Sequence, residues 1–404
     1  MKVALVHDYL KEYGGAERVL KTLSEIYPNA PIYTAFSVKG STAEKEFKGK
    51  EIHESWAAPL LKIGKLYSPL RFLTPLIWGT MDLSKYDLVI TSCSWYITRG
   101  FKVGPKTKVI AYCHTPPRWL YGYETSVGFT KYWPVRIYST IVGHFMRMYD
   151  FNTAQTVRRD TQYEKRNKTN GGVDYFIANS KNVRERIKKF YRRDSVVIYP
   201  PVDVEGIINA TRNKQYATRK QDNYFLIVSR LVGAKGLEEA AKAFKNLPYK
   251  LKIVGEAHGF SDVEKRLKRL AGSNIESVGR VSDEELYSLY AGAKGFIALA
   301  RDEDFGITPV EAMAAGTPVI AFNGGGFRET VIDPSVDSVG SPQAGSVQVA
   351  TGILINDTDE KTLKEAIKRF DKIKWEKEKL QNQARKFSKE RFVREIKDFV
   401  NKHV

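Results

Sequence analysis

The chain has little of what small stapled or metal-centred folds are built from. It carries two cysteines in 404 residues, Cys93 and Cys113. They cannot build a disulfide framework or a four-ligand zinc site. Its six histidines (His7, His53, His114, His144, His258, His403) never fall at a metal-ligand spacing. No stretch reaches the ~18 uncharged apolar residues of a spanning helix. The best candidate, Ala57 to Trp78, is interrupted by Lys62, Lys65 and Arg71 and by Pro59, Pro69 and Pro75. The opening Met1-Lys2-Val3-Ala4-Leu5-Val6-His7-Asp8 is too short an apolar run for a secretory signal, and it reads as a buried first strand. Short internal repeats and low-complexity tracts are missing too. Together these absences point to a soluble or surface-bound protein of a reducing compartment, cytoplasmic in location.

Positive charge is what the chain has in excess. There are 65 Lys+Arg against 46 Asp+Glu, a formal net charge of +19. The excess is lopsided: residues 1–200 hold 32 basic and 17 acidic residues, residues 201–404 hold 33 and 29. Trp56, Trp78, Trp95, Trp119 and Trp133 share the basic half, and only Trp375 lies outside it. Cations mixed with Trp and Tyr suit an anionic lipid surface, where indoles sit at the headgroup level. They also suit nucleic acid, and an ordinary solvated basic face is the plainer alternative. Two segments concentrate the pattern. Lys181 to Arg193 sets Val183, Ile187 and Phe190 at helical spacing against a basic face. Lys62 to Arg71 mixes Ile63, Leu66 and Tyr67 with cations, as an interfacial segment or a helix packed on a sheet would.

With 42% hydrophobic residues the chain has ample core, and its length suits two domains. Short β-rich runs alternate with helical patterns. Val3–His7, Leu88–Ser92, Val109–Cys113, Tyr175–Ala178, Val196–Ile198, Phe225–Ser229, Leu251–Val254, Phe296–Leu299 and Val319–Phe322 read as buried strands. Gly15–Ile26, Lys181–Tyr191, Lys235–Phe244 and Asp283–Ala291 read as helices. This alternation predicts parallel sheets covered on both faces, an α/β fold of two Rossmann-like doubly wound domains facing across a cleft. The polar stretch 203–223 has little apolar periodicity and marks the junction. That gives a domain over 1–205, a second over 206–384, and a helical end near 385–404. Pro334 to Gln348, rich in Ser, Gly and Pro, reads as a surface loop.

Ligands of such sheets bind beyond the carboxyl ends of the strands, and four constellations fall there. His7-Asp8-Tyr9 runs into Gly14-Gly15-Ala16-Glu17, where glycines admit a close ligand and a helix N-terminus offers N–H groups to an anion; a plain tight turn is the commoner cause of such a pattern. His114 follows a strand directly, with Pro116, Pro117, Arg118 and Trp119 after it, as a site histidine or a hydrogen-bonded structural one. Arg230 ends a strand and Lys235 begins a helix, where cations oppose the helix dipole unless an anion or surface acids offset them. The sharpest is Glu303-Asp304-Phe305-Gly306-Ile307-Thr308-Pro309-Val310-Glu311. Here Thr308 as N-cap, Pro309 at the first position and Glu311 three residues on make a capping box. That box leaves Glu303 unexplained. Two carboxylates flanking free helix N–H groups suit sugar hydroxyls on either side of a diphosphate.

At these residues the sequence resembles the family 4 retaining glycosyltransferases. Glu303 and Glu311 match the E-x7-E motif, and Phe305 through Ile320 continues it. Gly14 to Leu20, Tyr112 to Pro116, Ile177 to Ser180, Tyr199 to Asp203, Ser229 to Leu231 and Val278 to Asp283 extend the match along nearly the whole chain. The combination looks like the branch that moves mannose onto lipid-linked saccharides of surface polysaccharides.

The resemblance implies the two-domain GT-B fold, with acceptor on the first domain, nucleotide sugar on the second and the final helix crossing back to the first. It implies that Arg230 and Lys235 hold the donor diphosphate, Glu311 the ribose, and Glu303 the transferred sugar together with Phe305, Gly306 and Ile307. Gly14 and Gly15 would approach the diphosphate, His114 the reacting sugar, and Arg280 with Val281 the base. It implies a retaining, metal-independent hexosyltransferase with no cofactor beyond its donor, most simply GDP-mannose, with a UDP-sugar as the alternative. The partners expected are a lipid-linked saccharide acceptor and the anionic inner face of a membrane, with no nucleic acid. The triplets Asp302-Glu303-Asp304 and Asp357-Thr358-Asp359 are not expected to hold metal. Gly233-Ala234 stands where relatives often carry a bulkier pair. The loop after Glu329 is long for the family. A nucleotide-sugar epimerase of similar fold is a more distant rival.

Overall fold

In the computed structural model the chain gathers into two compact units. One comprises Met1–Tyr123, Phe129–Pro201 and Phe392–Val404, and the other contains Val202–Arg391. The structure describes every residue except 65, 124–132, 156–171, 213–222, 257–262, 271 and 337–348. The expected Ser/Gly-rich loop therefore lies largely outside the described residues, as does most of 213–223.

The first unit is a seven-stranded parallel sheet ordered β3-β2-β1-β4-β5-β6-β7. Its strands are β1 (Val3–His7), β2 (Ile32–Thr34), β3 (Ile52–Glu54), β4 (Leu88–Cys93), β5 (Lys108–Cys113), β6 (Tyr175–Ala178) and β7 (Ser195–Val197). The central strands are buried throughout, which is why they read as continuous apolar runs rather than alternating ones. The helix Gly15–Ile26 packs Val19, Leu20 and Leu23 onto Leu5, Leu88 and Ile110. Phe392 and Ile396 of the helix Lys389–His403 close the same core.

The second unit is a six-stranded parallel sheet ordered β10-β9-β8-β11-β12-β13. Its strands are β8 (Tyr224–Val228), β9 (Lys250–Val254), β10 (Ile275–Gly279), β11 (Gly295–Ala298), β12 (Val319–Phe322) and β13 (Gly352–Ile355). Phe225, Ile253, Leu299 and Ile320 meet Leu237 and Phe244 of the helix Leu237–Phe244, and Leu363 and Ile367 of the helix Glu360–Phe370.

Three expectations need correction. The stretch after Asp203 is not wholly irregular: Val204–Arg212 is a helix that buries Val204, Ile207, Ile208 and Thr211 at 3.6-residue spacing. Trp78 is fully buried, and its indole N–H donates to the Tyr96 carbonyl at 2.8 Å, so it belongs to the core rather than to a lipid-facing surface. The helix Lys181–Tyr191 has the predicted bounds, but Arg186 turns inward, donating to Thr115 Oγ1 at 3.2 Å and covering the Tyr123 ring. A guanidinium stacked on an aromatic face and hydrogen-bonded tolerates that burial.

Candidate active site

In both sheets the strand order reverses once, between β1 and β4 in the first and between β8 and β11 in the second. Parallel strands open a crevice at such a switch point, at their carboxyl ends. Most of the candidate residues lie there, Arg280 and Val281 past the edge strand β10 excepted, and the two units present different chemistry.

In the first unit, adjacent strands deliver three polar side chains. Register pairs His7 with Ser92, and Ser92 with Tyr112, so His114 begins just beyond. His7 Nδ1 lies 3.1 Å from Ser92 Oγ, and Ser92 Oγ lies 2.8 Å from His114 Nε2. The other nitrogen of His7 meets Glu17 Oε1 at 3.4 Å. All four residues are buried. With one proton on each imidazole the direction is fixed, because a carboxylate only accepts. His7 donates from Nε2 to Glu17, Ser92 donates to His7 Nδ1, and His114 donates from Nε2 to Ser92. His114 is thereby left with an Nδ1 lone pair as an acceptor. Burial, reinforced by the neighbouring His7, pushes the pKa of His114 down to about 3, so the ring is neutral near pH 7.

The glycine turn before Gly15–Ile26 is closed by its own helix. Gly14, in extended conformation at the N-cap, donates its N–H to Glu17 Oε2 at 2.9 Å. Gly15 is exposed at the first helical position. Asp8 braces the loop after β4 by accepting from Ser94 Oγ and Trp95 N, each at 2.7 Å. Burial raises its pKa.

In the second unit the two residues flanking the switch point form an ion pair. Lys235 Nζ, in the tight turn Gly233–Lys235 after β8, stands 2.5 Å from Glu303 Oε2 in the loop after β11. The lysine's local cost before the helix Leu237–Phe244 thus meets a carboxylate 68 positions away in sequence. Arg230 is exposed just past β8; Arg280, exposed, and Val281, half-buried, lie just past β10.

The E-x7-E segment departs from its expected local structure. The helix runs Ile307–Ala315 with Gly306 at its N-cap and without a side-chain cap, so Thr308 and Glu311 form no capping box. Gly306 is the reason. Its φ of +88° turns the chain into the helix earlier than Thr308 would. Glu311 then falls in the second turn on the buried face, where its Oε2 accepts from Tyr290 Oη at 2.8 Å. Phe305 is buried edge-on to Phe387, their ring centres 5.4 Å apart.

Three contributors escaped sequence reasoning. Ser92 connects the two histidines, but a lone Ser at a strand end carries no signal. Tyr290 sets the Glu311 carboxylate from another helix. The run Gly324-Gly325-Gly326 supports the Glu303 loop: Gly326 donates to the Glu303 carbonyl at 2.9 Å, and a Cβ on it would stand 2.3 Å from Phe305 Cα. Three consecutive glycines after a buried strand were a usable sign of that close approach.

Both acidic triplets are tied into other contacts. Asp357 pairs with Arg301 at 2.6 Å, and Asp359 caps the helix Glu360–Phe370 through the Thr362 N–H. Among the described residues no group of three His, Cys, Asp or Glu is placed to hold a metal ion.

Two doubly wound parallel sheets, each with polar groups at its switch point, define the GT-B class of glycosyltransferases. Comparison with known proteins agrees. Residues 13–205 match the model of glycosyltransferase family 4, and residues 209–387 match that of the glycosyl transferases group 1. The chain belongs to family 4 of the glycosyltransferases.

It is similar to an uncharacterized glycosyltransferase of Methanocaldococcus jannaschii, 29% identical over 160 residues that cover 40% of this chain and 43% of that one. The chain thus spans less than half the length of that relative. It is also similar to the alpha-1,3/1,6-mannosyltransferase ALG2 of Kluyveromyces lactis, 25% identical over 82% of this chain and 71% of that protein. Among solved structures, Anabaena HepE in complex with UDP-glucose shares the fold with a TM-score of 0.66 at 17% identity, over 100% of both chains.

Proposed function

We propose that the chain is a retaining, metal-independent mannosyltransferase that moves mannose from GDP-mannose to a lipid-linked saccharide at the inner face of a membrane. The observation that carries the reading is the Lys235–Glu303 pair at the switch point of the second sheet. A cation poised for a diphosphate and a carboxylate poised for sugar hydroxyls occupy one place, each satisfying the other until a donor takes both. The ALG2 relative acts as a mannosyltransferase, which supports the choice of sugar.

In this reading Arg230 and Lys235 hold the diphosphate, and the N-terminus of Ile307–Ala315, with the N–H groups of Phe305, Gly306 and Ile307, adds partial positive charge. Glu311 holds the ribose, and Arg280 with Val281 lies by the base. Gly14 and Gly15 approach the diphosphate, and His114 serves the reacting sugar as an uncharged acceptor through Nδ1. The bond from the anomeric carbon to the diphosphate oxygen breaks. The acceptor hydroxyl bonds to the same face, and its proton passes to the departing diphosphate, leaving GDP and the glycosylated acceptor. Cations aimed at the developing negative charge supply the largest stabilisation. The basic first unit takes the acceptor and meets anionic lipid.

A UDP-sugar donor is the second reading, favoured by the fold shared with HepE, which was solved with UDP-glucose. Calorimetric binding of GDP, UDP, GDP-mannose and UDP-glucose, with and without EDTA, separates the two. Preference for GDP-mannose, unaltered by EDTA, is expected. Preference for a UDP ligand overturns the donor and keeps the family. Loss of binding in EDTA overturns metal independence.

A further inference from the structure

The helix Trp133–Ala154 has two apolar faces. One belongs to the core of the first unit: Met146 is buried with Ile97 and Leu120, and Asp150 is buried in an ion pair with Arg99. The other carries Trp133, Ile137, Ile141, Phe145 and Met148, spaced at three and four residues along one stripe and between 51% and 72% exposed. Such a stripe in an amphipathic helix is ordinarily the buried one. An apolar patch of this extent marks an interaction surface.

The stripe has a neighbour. Tyr138 donates its hydroxyl to the Pro69 carbonyl, which ties the helix to Pro69–Leu73. Phe72 and Leu76 there, and Ile63 shortly before, are exposed as well.

The free charge around these side chains is mostly positive, and an acid there, Glu54, is spent on Lys62 at 2.7 Å. Within Trp133–Ala154 the only acid is the buried Asp150, while Arg136 and Arg147 are exposed. Between Ser55 and Met81 the sequence has no Asp or Glu, and of its cations Lys62 pairs with Glu54 and Arg71 stacks on the Trp95 and Trp119 rings. An apolar stripe flanked by the exposed Arg136 and Arg147, with Trp133 and Tyr138 on it, complements an anionic bilayer: acyl chains take the stripe and headgroups take the arginines. A second copy of this chain fits worse, because a two-fold contact on this face would set cation against cation.

We propose that Trp133–Ala154 is the membrane-inserting element of this protein, lying flat in the headgroup region with the Trp133–Met148 stripe turned into the acyl boundary. This deepens the lipid-linked reading above by naming the part that meets lipid, and it stands apart from the identity of the donor.

The test is flotation of the full chain with vesicles of phosphatidylcholine containing phosphatidylglycerol, against vesicles of phosphatidylcholine alone. The wild type is expected to float with the anionic vesicles, and the double variant Ile141→Ser/Phe145→Ser to bind them at least about tenfold more weakly. Its melting temperature and nucleotide binding should be unchanged, so failure of the donor reading would appear in nucleotide binding and not here. A second measurement needs only Trp133. Brominated lipid should quench the wild-type fluorescence, and Trp133→Phe should lose much of that quenching. The proposal is overturned if the double variant floats like the wild type, if Trp133→Phe quenches undiminished, or if light scattering shows a dimer that the double variant dissolves.

Discussion

The two units resemble each other in topology and differ in what they show to solvent. Among the described residues, every large apolar side chain that stands exposed, from Trp56 to Met148 and at Met1, Val196 and Val404, belongs to the first unit. Among the described residues the second unit exposes none. The polar groups at the two switch points are opposites as well. His7, Ser92 and His114 form a buried hydrogen-bonded chain, whereas Lys235 and Glu303 form an ion pair that solvent partly reaches. One doubly wound frame can therefore carry a dry relay of imidazoles and a hydrated charge pair, because the frame fixes only where side chains meet. Both sheets pack on clusters of buried apolar side chains, and the first unit also buries charged groups such as Arg99 and Asp150.

The comparison breaks most severely at Arg99. Its guanidinium and the Asp150 carboxylate are almost wholly buried, and Tyr121 Oη donates to Asp150 at 2.6 Å. Arg99→Ala strands a buried carboxylate and should cost about 3–5 kcal/mol in chemical denaturation. Arg99→Met with Asp150→Leu should recover most of it. If the single variant loses no more than the double, the pair is not what stabilises this region.

Acid acts on the same unit. The unfolded chain binds a proton at His114 near its ordinary value of 6.5, the folded chain only near 3. Stability should therefore fall as pH drops from about 6.5 towards 3, by at most about 4–5 kcal/mol from this residue. Denaturation of His114→Phe across that range should show a flatter acid limb. An unchanged slope would mean that other groups carry the acid sensitivity.

At the second switch point the effect should fall on activity instead. Lys235→Ala is expected to lower turnover about 10²–10³-fold. A partly solvated pair contributes under about 1 kcal/mol to stability, so the melting temperature should barely move. Wild-type turnover in this variant would remove the diphosphate role.

The smallest of these effects is expected at Ser92→Ala, which leaves His7 Nδ1 and His114 Nε2 buried and facing a methyl group. A loss of about 1–3 kcal/mol in thermal denaturation, partly restored by Ser92→Thr, would sharpen the contrast between relay and ion pair.

Buried strands and amphipathic helices were legible in the sequence because burial on both faces, or on one stripe, writes a periodicity. Gly15–Ile26 and Lys181–Tyr191 have the predicted bounds, and β1, β6 and β12 match to the residue. The strands that escaped, Ile32–Thr34, Ile52–Glu54, Ile275–Gly279 and Gly352–Ile355, are three to five residues long and fall towards the sheet margins. Mixed burial left Ile32–Thr34, Ile52–Glu54 and Ile275–Gly279 no pattern, and Gly352–Ile355, though buried throughout, is only four residues long. The helix Trp133–Ala154 was missed for the opposite reason, since apolar residues on both of its faces erase the contrast that periodicity needs. In the site, single residues at strand ends were readable from position. Partners such as Tyr290 for Glu311 and Glu303 for Lys235 depend on tertiary contacts that spacing does not encode.

The last helix bears on how the polypeptide matures. Phe392 and Ile396 fill the core that Leu5, Leu20 and Ile110 begin. During synthesis the amino-terminal sheet emerges first yet stays open along one flank until residues 392–400 have left the ribosome. By then the whole carboxyl-terminal sheet has been made. The unit translated first is thus completed last, and a stop codon just before Phe392 would cripple the opposite end of the sequence from the one it truncates.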